Sequence, residues 1–163
     1  MSRPSRNSRE SEIVAVQRTF FATSSAYGRK QILQSDRMGE LLVSTLLRYR
    51  DAKKFQLHDF VVMPNHIHVL LTVGPELTVE KAMQLIKGGS SFRAKKELEI
   101  NSEIWQAGFS EERAFGVEAF DGFRRYIRQN PVKRGLVMQA EEYAYSSANP
   151  RFELDPMPEY LRG

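Results

Sequence analysis

The chain contains no cysteine. That excludes a disulfide framework, a thiolate zinc site and a cysteine nucleophile, and it fits the cytoplasm. Long apolar runs are also missing. Stretches such as Phe60–Met63 and Val69–Leu71 fall far short of the ~18 residues a membrane span needs. Residues 1–9 carry three arginines and no apolar core, so they read as a basic arm rather than a secretory signal. There is no internal repeat and no low-complexity tract. Neither sign of charge dominates, with 24 Lys+Arg against 20 Asp+Glu and a net charge of +4. What remains is 163 residues, 41% hydrophobic and 27% charged, enough for one globular domain with a core of its own.

The charge is unevenly placed. Residues 1–138 carry a net +7 and residues 139–163 a net −3. A basic body suits a polyanionic partner.

Periodicity outlines the elements. Residues 13–22 alternate β-formers and read as a strand, followed by a loop through Gly28. Ser35 or Asp36 caps a helix with Met38, Leu41, Leu42, Thr45, Leu46 and Tyr49 on one face, ending near Asp51. Phe55–Met63 and His66–Val73 form a hairpin around Pro64-Asn65. Thr78 caps a second helix that Gly88-Gly89 interrupts and that resumes from Phe92 to Leu98. Ile104–Phe109 reads as a fourth strand. Val117–Asn130 reads as a third helix with Phe120, Phe123 and Ile127 inward, ended by Pro131. The order β-α-β-β-α-β-α predicts an α+β, ferredoxin-like split βαβ fold: a four-stranded antiparallel sheet, helices on one face, and an added helix. Residues 1–148 are expected to form one domain and 149–163 a tail.

The densest chemistry lies on the hairpin. His66 and His68 are two apart on a strand, so both imidazoles project from one face and can grip one metal ion, while Ile67 points into the core. His58, on the partner strand, is a third imidazole of uncertain facing. Two imidazoles leave the shell incomplete, so an amide or carboxylate oxygen is needed from elsewhere. Tyr126 and Asn130, four apart, share a helix face and offer a hydroxyl beside an amide oxygen.

Joined, these segments resemble a known family. Met63–His68, Ile104-Trp105-Gln106 and Tyr126–Val137 are similar to the single-tyrosine transposases of the His-hydrophobic-His superfamily. The nearest branch is the REP-associated tyrosine transposases. Ala82–Gly89, Ser91–Leu98 and Tyr143–Ala148 resemble that branch as well, so the likeness runs from about Phe20 to Ala148. It implies that His66, His68 and Asn130 hold a divalent cation, Mg²⁺ or Mn²⁺, and that Tyr126 is the nucleophile. Tyr126 would attack a phosphodiester of single-stranded DNA beside a hairpin or palindromic repeat. That leaves a 5′-phosphotyrosine link and a free 3′-hydroxyl. The bond energy stays in the covalent link, so no nucleotide cofactor is implied. The implied enzyme is a strand-transferring DNA endonuclease, monomer or homodimer, with no membrane partner. A hairpin-binding module without chemistry, and a nuclease that uses water, are the alternatives.

Candidate DNA contacts are the basic residues around these motifs. They are Arg18, Arg29 and Lys30 on the first strand and loop, Lys87, Arg93, Lys95 and Lys96 around Gly88-Gly89, and Arg124, Arg125 and Arg128 beside Tyr126. The two glycines fit either close approach of a phosphate or a helix-packing contact. One segment departs from the family. Where relatives carry histidine, this chain has Phe109-Ser110-Glu111-Glu112-Arg113. Two readings stay open there: a glutamate acting as an oxygen ligand or base, and ordinary surface charge.

Overall fold

The computed structural model describes residues 16–163. The start of the predicted first strand, residues 13–15, and the basic arm lie outside them. Four strands form one antiparallel sheet in the order β2-β3-β1-β4. They are β1 (Arg18–Ser25), β2 (Gln56–Met63), β3 (His66–Val73) and β4 (Ser110–Arg113). The helices are α1 (Asp36–Asp51), α2 (Val79–Leu98) and α3 (Val117–Lys133). This is the split βαβ arrangement. Among the described residues, no helix is long and apolar enough to cross a membrane.

The sheet carries a core on each face. On one face Phe20, Ala22, Val62, Ile67, Val69 and Leu71 meet α1 and α2 residues such as Leu42, Leu46, Met83 and Ile86. On the other, Phe21, Val61, Met63 and Leu70 meet Phe120 and Ile127 of α3 and Leu161. Alternate residues along each strand supply the two faces. A bulge between Leu57 and Asp59 resets that alternation in β2. It is why Leu57 joins the first core while His58 meets Phe120 edge to face and Asp59 meets α3.

Capping is local and legible. The Ser35 hydroxyl accepts from the Met38 N–H at 3.1 Å, and the Thr78 hydroxyl from the Lys81 N–H at 3.1 Å. Three elements differ from expectation. First, α2 runs unbroken through Gly88-Gly89. A Cβ at Gly89 would run into the Tyr49 hydroxyl of α1, so this glycine permits close helix packing and not the approach of a phosphate. Second, the fourth strand lies at Ser110–Arg113, not at Ile104–Phe109. Ile104 and Trp105 instead plug the first core, with a lone bridge from Trp105 to Ala26. The polar run Ser-Glu-Glu-Arg becomes a strand because β1 has an open edge, and charged residues suit an edge position. Third, α3 continues through Pro131 to Lys133. Pro131 and Ile127 are buried, which offsets the lost hydrogen bond. Gly135, at φ 74°, then takes the left-handed position that ends the helix.

The C-terminal stretch also differs: residues 149–163 are not a loose tail. The Leu57 N–H donates to the Asp155 carboxylate at 2.8 Å, and the Asp155 N–H donates to the Leu57 carbonyl at 2.9 Å. Leu161 enters the second core. Just upstream, Tyr145 and Ser147 exchange backbone bonds with Val62 and Phe60, so this segment covers the open edge of β2.

Candidate active site

The hairpin turn places His66 and His68 at the end of β3 beside β1, on the face that α3 covers. Their ring centroids are 4.7 Å apart. Tyr126 projects from α3 over the pair, its ring 5.3 Å from His68 and 5.8 Å from Phe21. All three belong to one chain. A cavity of about 480 Å³ opens above them, lined by both imidazoles, Tyr126, Arg29, Arg134 and the Gln106–Gly108 loop.

Each imidazole is oriented by its Nδ1. That of His66 donates to the Asn65 amide oxygen at 2.7 Å, leaving the Nε2 lone pair available. That of His68 bonds the Thr23 hydroxyl at 2.7 Å, and its buried Nε2 has no hydrogen-bond partner among the described residues. Burial pushes His66 down to about 4, helped by Arg134 and Arg29. Burial pushes His68 down to about 3, helped by His66 and Arg134. Both rings are therefore neutral at pH 7, the form that ligates metals. Asn130 sits one turn beyond Tyr126. Its side chain is buried and its Oδ1 is likewise without a partner among the described residues. An imidazole nitrogen and an amide oxygen left without partners, and the available nitrogen of His66, are ligands of the type a divalent cation takes. His58 takes no part. Its two nitrogens are bonded to the Asp155 carbonyl and the Thr72 hydroxyl.

The basic residues divide sharply. Arg29 and Lys30 are exposed, and Arg29 lines the cavity. Arg125, Lys95 and Lys96 are exposed as well. Four others named from the sequence are spent on the fold. Arg18 is 5% exposed and donates to the Gly74 and Leu77 carbonyls, at the end of β1 away from the histidines. Arg93 clamps α2 to α1 through the Leu41 carbonyl and the Ser44 and Thr45 hydroxyls, and pairs with Glu97 of its own helix. Arg124 and Arg128 both bind the fully buried carboxylate of Asp59, at 2.7 and 2.9 Å. Both side chains stay partly exposed, yet the shared carboxylate ties them to β2 and sets the rotation of α3 about its axis. A buried acceptor is more demanding than water, so these guanidiniums turn inward. Lys87 holds the cavity wall, donating to the Gln106 and Gly108 carbonyls at 2.9 and 2.6 Å. Trp105 is a core residue whose indole N–H donates to Ser90.

Arg134 was not singled out from the sequence, yet it lines the cavity. The signal was there: 126, 130 and 134 are successive turns of one helix face. Reading Pro131 as the helix end concealed it. Of the two glutamates, Glu112 lies opposite Phe21 on the Tyr126 face, whereas Glu111 lies opposite Ala22.

Solved structures share this fold. A REP-associated tyrosine transposase bound to a REP hairpin superposes with a TM-score of 0.66 at 22% identity, covering 87% of this chain and 86% of that one. A transposase from Deinococcus radiodurans gives 0.52 at 19% identity, covering 68% and 88%. The architecture is thus a transposase fold. Residues 22–130 match the family described as Transposase IS200 like, and the chain belongs to that family. Its similar relatives include proteins named as REP-associated tyrosine transposases. One, from Haemophilus influenzae, is 27% identical over 146 residues, 78% of this chain and 82% of the relative. Another, from Escherichia coli K12, is 25% identical over 128 residues, 78% and 74%.

Proposed function

We propose that this transposase cleaves and rejoins single-stranded DNA beside hairpin or palindromic repeats, with Tyr126 as nucleophile. The observation that carries the reading is the Tyr126 ring 5.3 Å from His68 of its own chain, over a cavity rimmed by Arg29 and Arg134. The hairpin bound to the REP-associated relative supports the choice of DNA.

His66 and His68 would hold a divalent cation through Nε2, with the Asn130 Oδ1 as third ligand. Mg²⁺ or Mn²⁺ bound there polarises the phosphodiester and stabilises charge on its oxygens. The chain's own residues do the rest. Arg29 and Arg134 seat the phosphate. The Tyr126 hydroxyl attacks phosphorus and loses its proton to solvent, to which it is open. The P–O3′ bond breaks, and the departing oxygen takes up a proton as a 3′-hydroxyl. The phosphate stays on Tyr126 as a 5′-phosphotyrosine, and the reverse attack by a 3′-hydroxyl rejoins DNA. In this reading Tyr126 acts beside the imidazoles of its own chain.

The test is a denaturing gel of the protein with labelled hairpin oligonucleotides from repeats near its own gene, with Mn²⁺ or Mg²⁺. A metal-dependent protein–DNA band that disappears in Tyr126→Phe is the expected result. Cleavage that persists in Tyr126→Phe would make water the nucleophile. Binding without cleavage across the panel would make the chain a hairpin-binding module.

A further inference from the structure

Tyr126 separates two cavities of different character. The polar one holds His66, Arg29 and Arg134. The second, about 630 Å³, lies on the β4 side of the tyrosine and shares with the first only Thr23, His68, Ser110 and Tyr126. Its walls are Phe21, Phe123 and Ala119, its floor is Gly122, and Glu112 stands at its edge. Phe21 and Phe123 are stacked at 4.7 Å with planes 2° apart, an aromatic platform continuous with the His68 ring. A Cβ at Gly122 would meet nothing closer than the Arg125 guanidinium at 3.9 Å, so the glycine faces open cavity. Exposed Arg125 thus stands at the rim.

Resting on the reading above, we propose that this second cavity seats the nucleobase next to the scissile phosphate. Glu112 would select bases that present an exocyclic amine. The occupant follows from the lining. An aromatic wall with a cationic rim fits a flat ring tethered to phosphate, because bases stack on aromatic faces while the backbone stays among cations. A carboxylate only accepts hydrogen bonds. It pairs with the amino group of cytosine or adenine and is repelled by the carbonyl edge of thymine. Seating a base here would also hold its phosphate against the Tyr126 hydroxyl, since the same ring borders both cavities. Glu112 and Gly122 are thus specificity residues, outside the donor set assigned to metal.

The test uses the full chain with chelator present, so that no cleavage intervenes. Affinity is measured by fluorescence anisotropy for short homopolymers of dC, dA and dT and for an abasic homopolymer. Wild type should bind dC and dA roughly tenfold more tightly than dT or the abasic chain. Gly122→Leu fills the floor and should bring all four to the abasic level, with its melting temperature unchanged or raised. Glu112→Gln should keep the affinity for dC and dA and raise that for dT. Equal affinity of wild type for all four would overturn the proposal, as would unaltered preferences in both variants, while the tyrosine mechanism would stand on its own adduct. Failure of wild type to bind any of the four would also overturn the proposal, whereas the tyrosine mechanism is decided separately by the adduct gel with hairpin DNA.

Discussion

Asp59 is the residue on which the placement of Tyr126 most depends, although it touches nothing in the cavity. Its carboxylate is fully buried and accepts from Arg124 at 2.7 Å, Arg128 at 2.9 Å and Ser147 at 2.6 Å. Both arginines flank Tyr126 on α3, so the carboxylate holds that helix at one rotation against β2. Asp59→Asn keeps the shape but removes the charge and turns an amino group toward one guanidinium. Removing one partner of a fully buried pair costs about 3–5 kcal/mol. Here the arginine side chains are 38% and 36% exposed, so water takes up part of the loss. A value of about 2–3 kcal/mol follows after that discount. With a urea slope of roughly 2 kcal/mol/M, the midpoint should fall by about 1–1.5 M. Arg124→Ala made on top of Asp59→Asn should then cost less than it does alone, because the acceptor has gone. Adduct formation at a temperature where Asp59→Asn is folded should also slow, since α3 is free to rotate. A midpoint within about 0.3 M of wild type, or strict additivity with Arg124→Ala, would refute the argument.

Three further outcomes are expected. Burial holds His58 below its usual value of 6.5. The unfolded chain therefore takes up that proton first, so stability is complete above 6.5 and is lost as pH falls below it. His66 and His68 extend the loss toward about 4 and 3. Urea midpoints measured with chelator should fall steadily on acidification, and less steeply in His58→Gln. Gly89→Ala puts a methyl group against the Tyr49 hydroxyl and should cost about 1–3 kcal/mol in thermal melts, despite alanine's better helix propensity. Arg134→Ala should lower the salt dependence of single-stranded DNA binding by about one charge, whereas Arg93→Ala should lower the melting temperature and leave the salt slope alone.

The local chemistry of this protein is set by its sequence. The spacing of His66 and His68 puts both rings on one side of a strand whatever that strand pairs with, because side chains alternate. Tyr126 and Asn130 likewise share a helix face by period alone. Ser35 and Thr78 start their helices through their own side chains, so both starts could be read directly. The hairpin at Pro64-Asn65 is equally local.

Other features exist only because distant segments meet. Ser110–Arg113 has no strand pattern and is extended because β1 offers an unpaired edge. The bulge at His58 decides which face Asp59 takes, and no periodicity announces it. Arginines look alike in a sequence. Whether one meets solvent or a buried acceptor depends on partners far along the chain, as Arg124 and Arg128 show through Asp59, and Arg93 through the middle of α1. Basic composition could therefore suggest a polyanionic partner but could not say which cations are left to hold it. Pro131 ends a helix in an isolated peptide and is carried through here because burial outweighs one hydrogen bond. The pairing of Tyr126 with His68 has the same origin. It rests on α3 packing across β3 through Phe120 and Ile127, contacts that join residues some sixty positions apart.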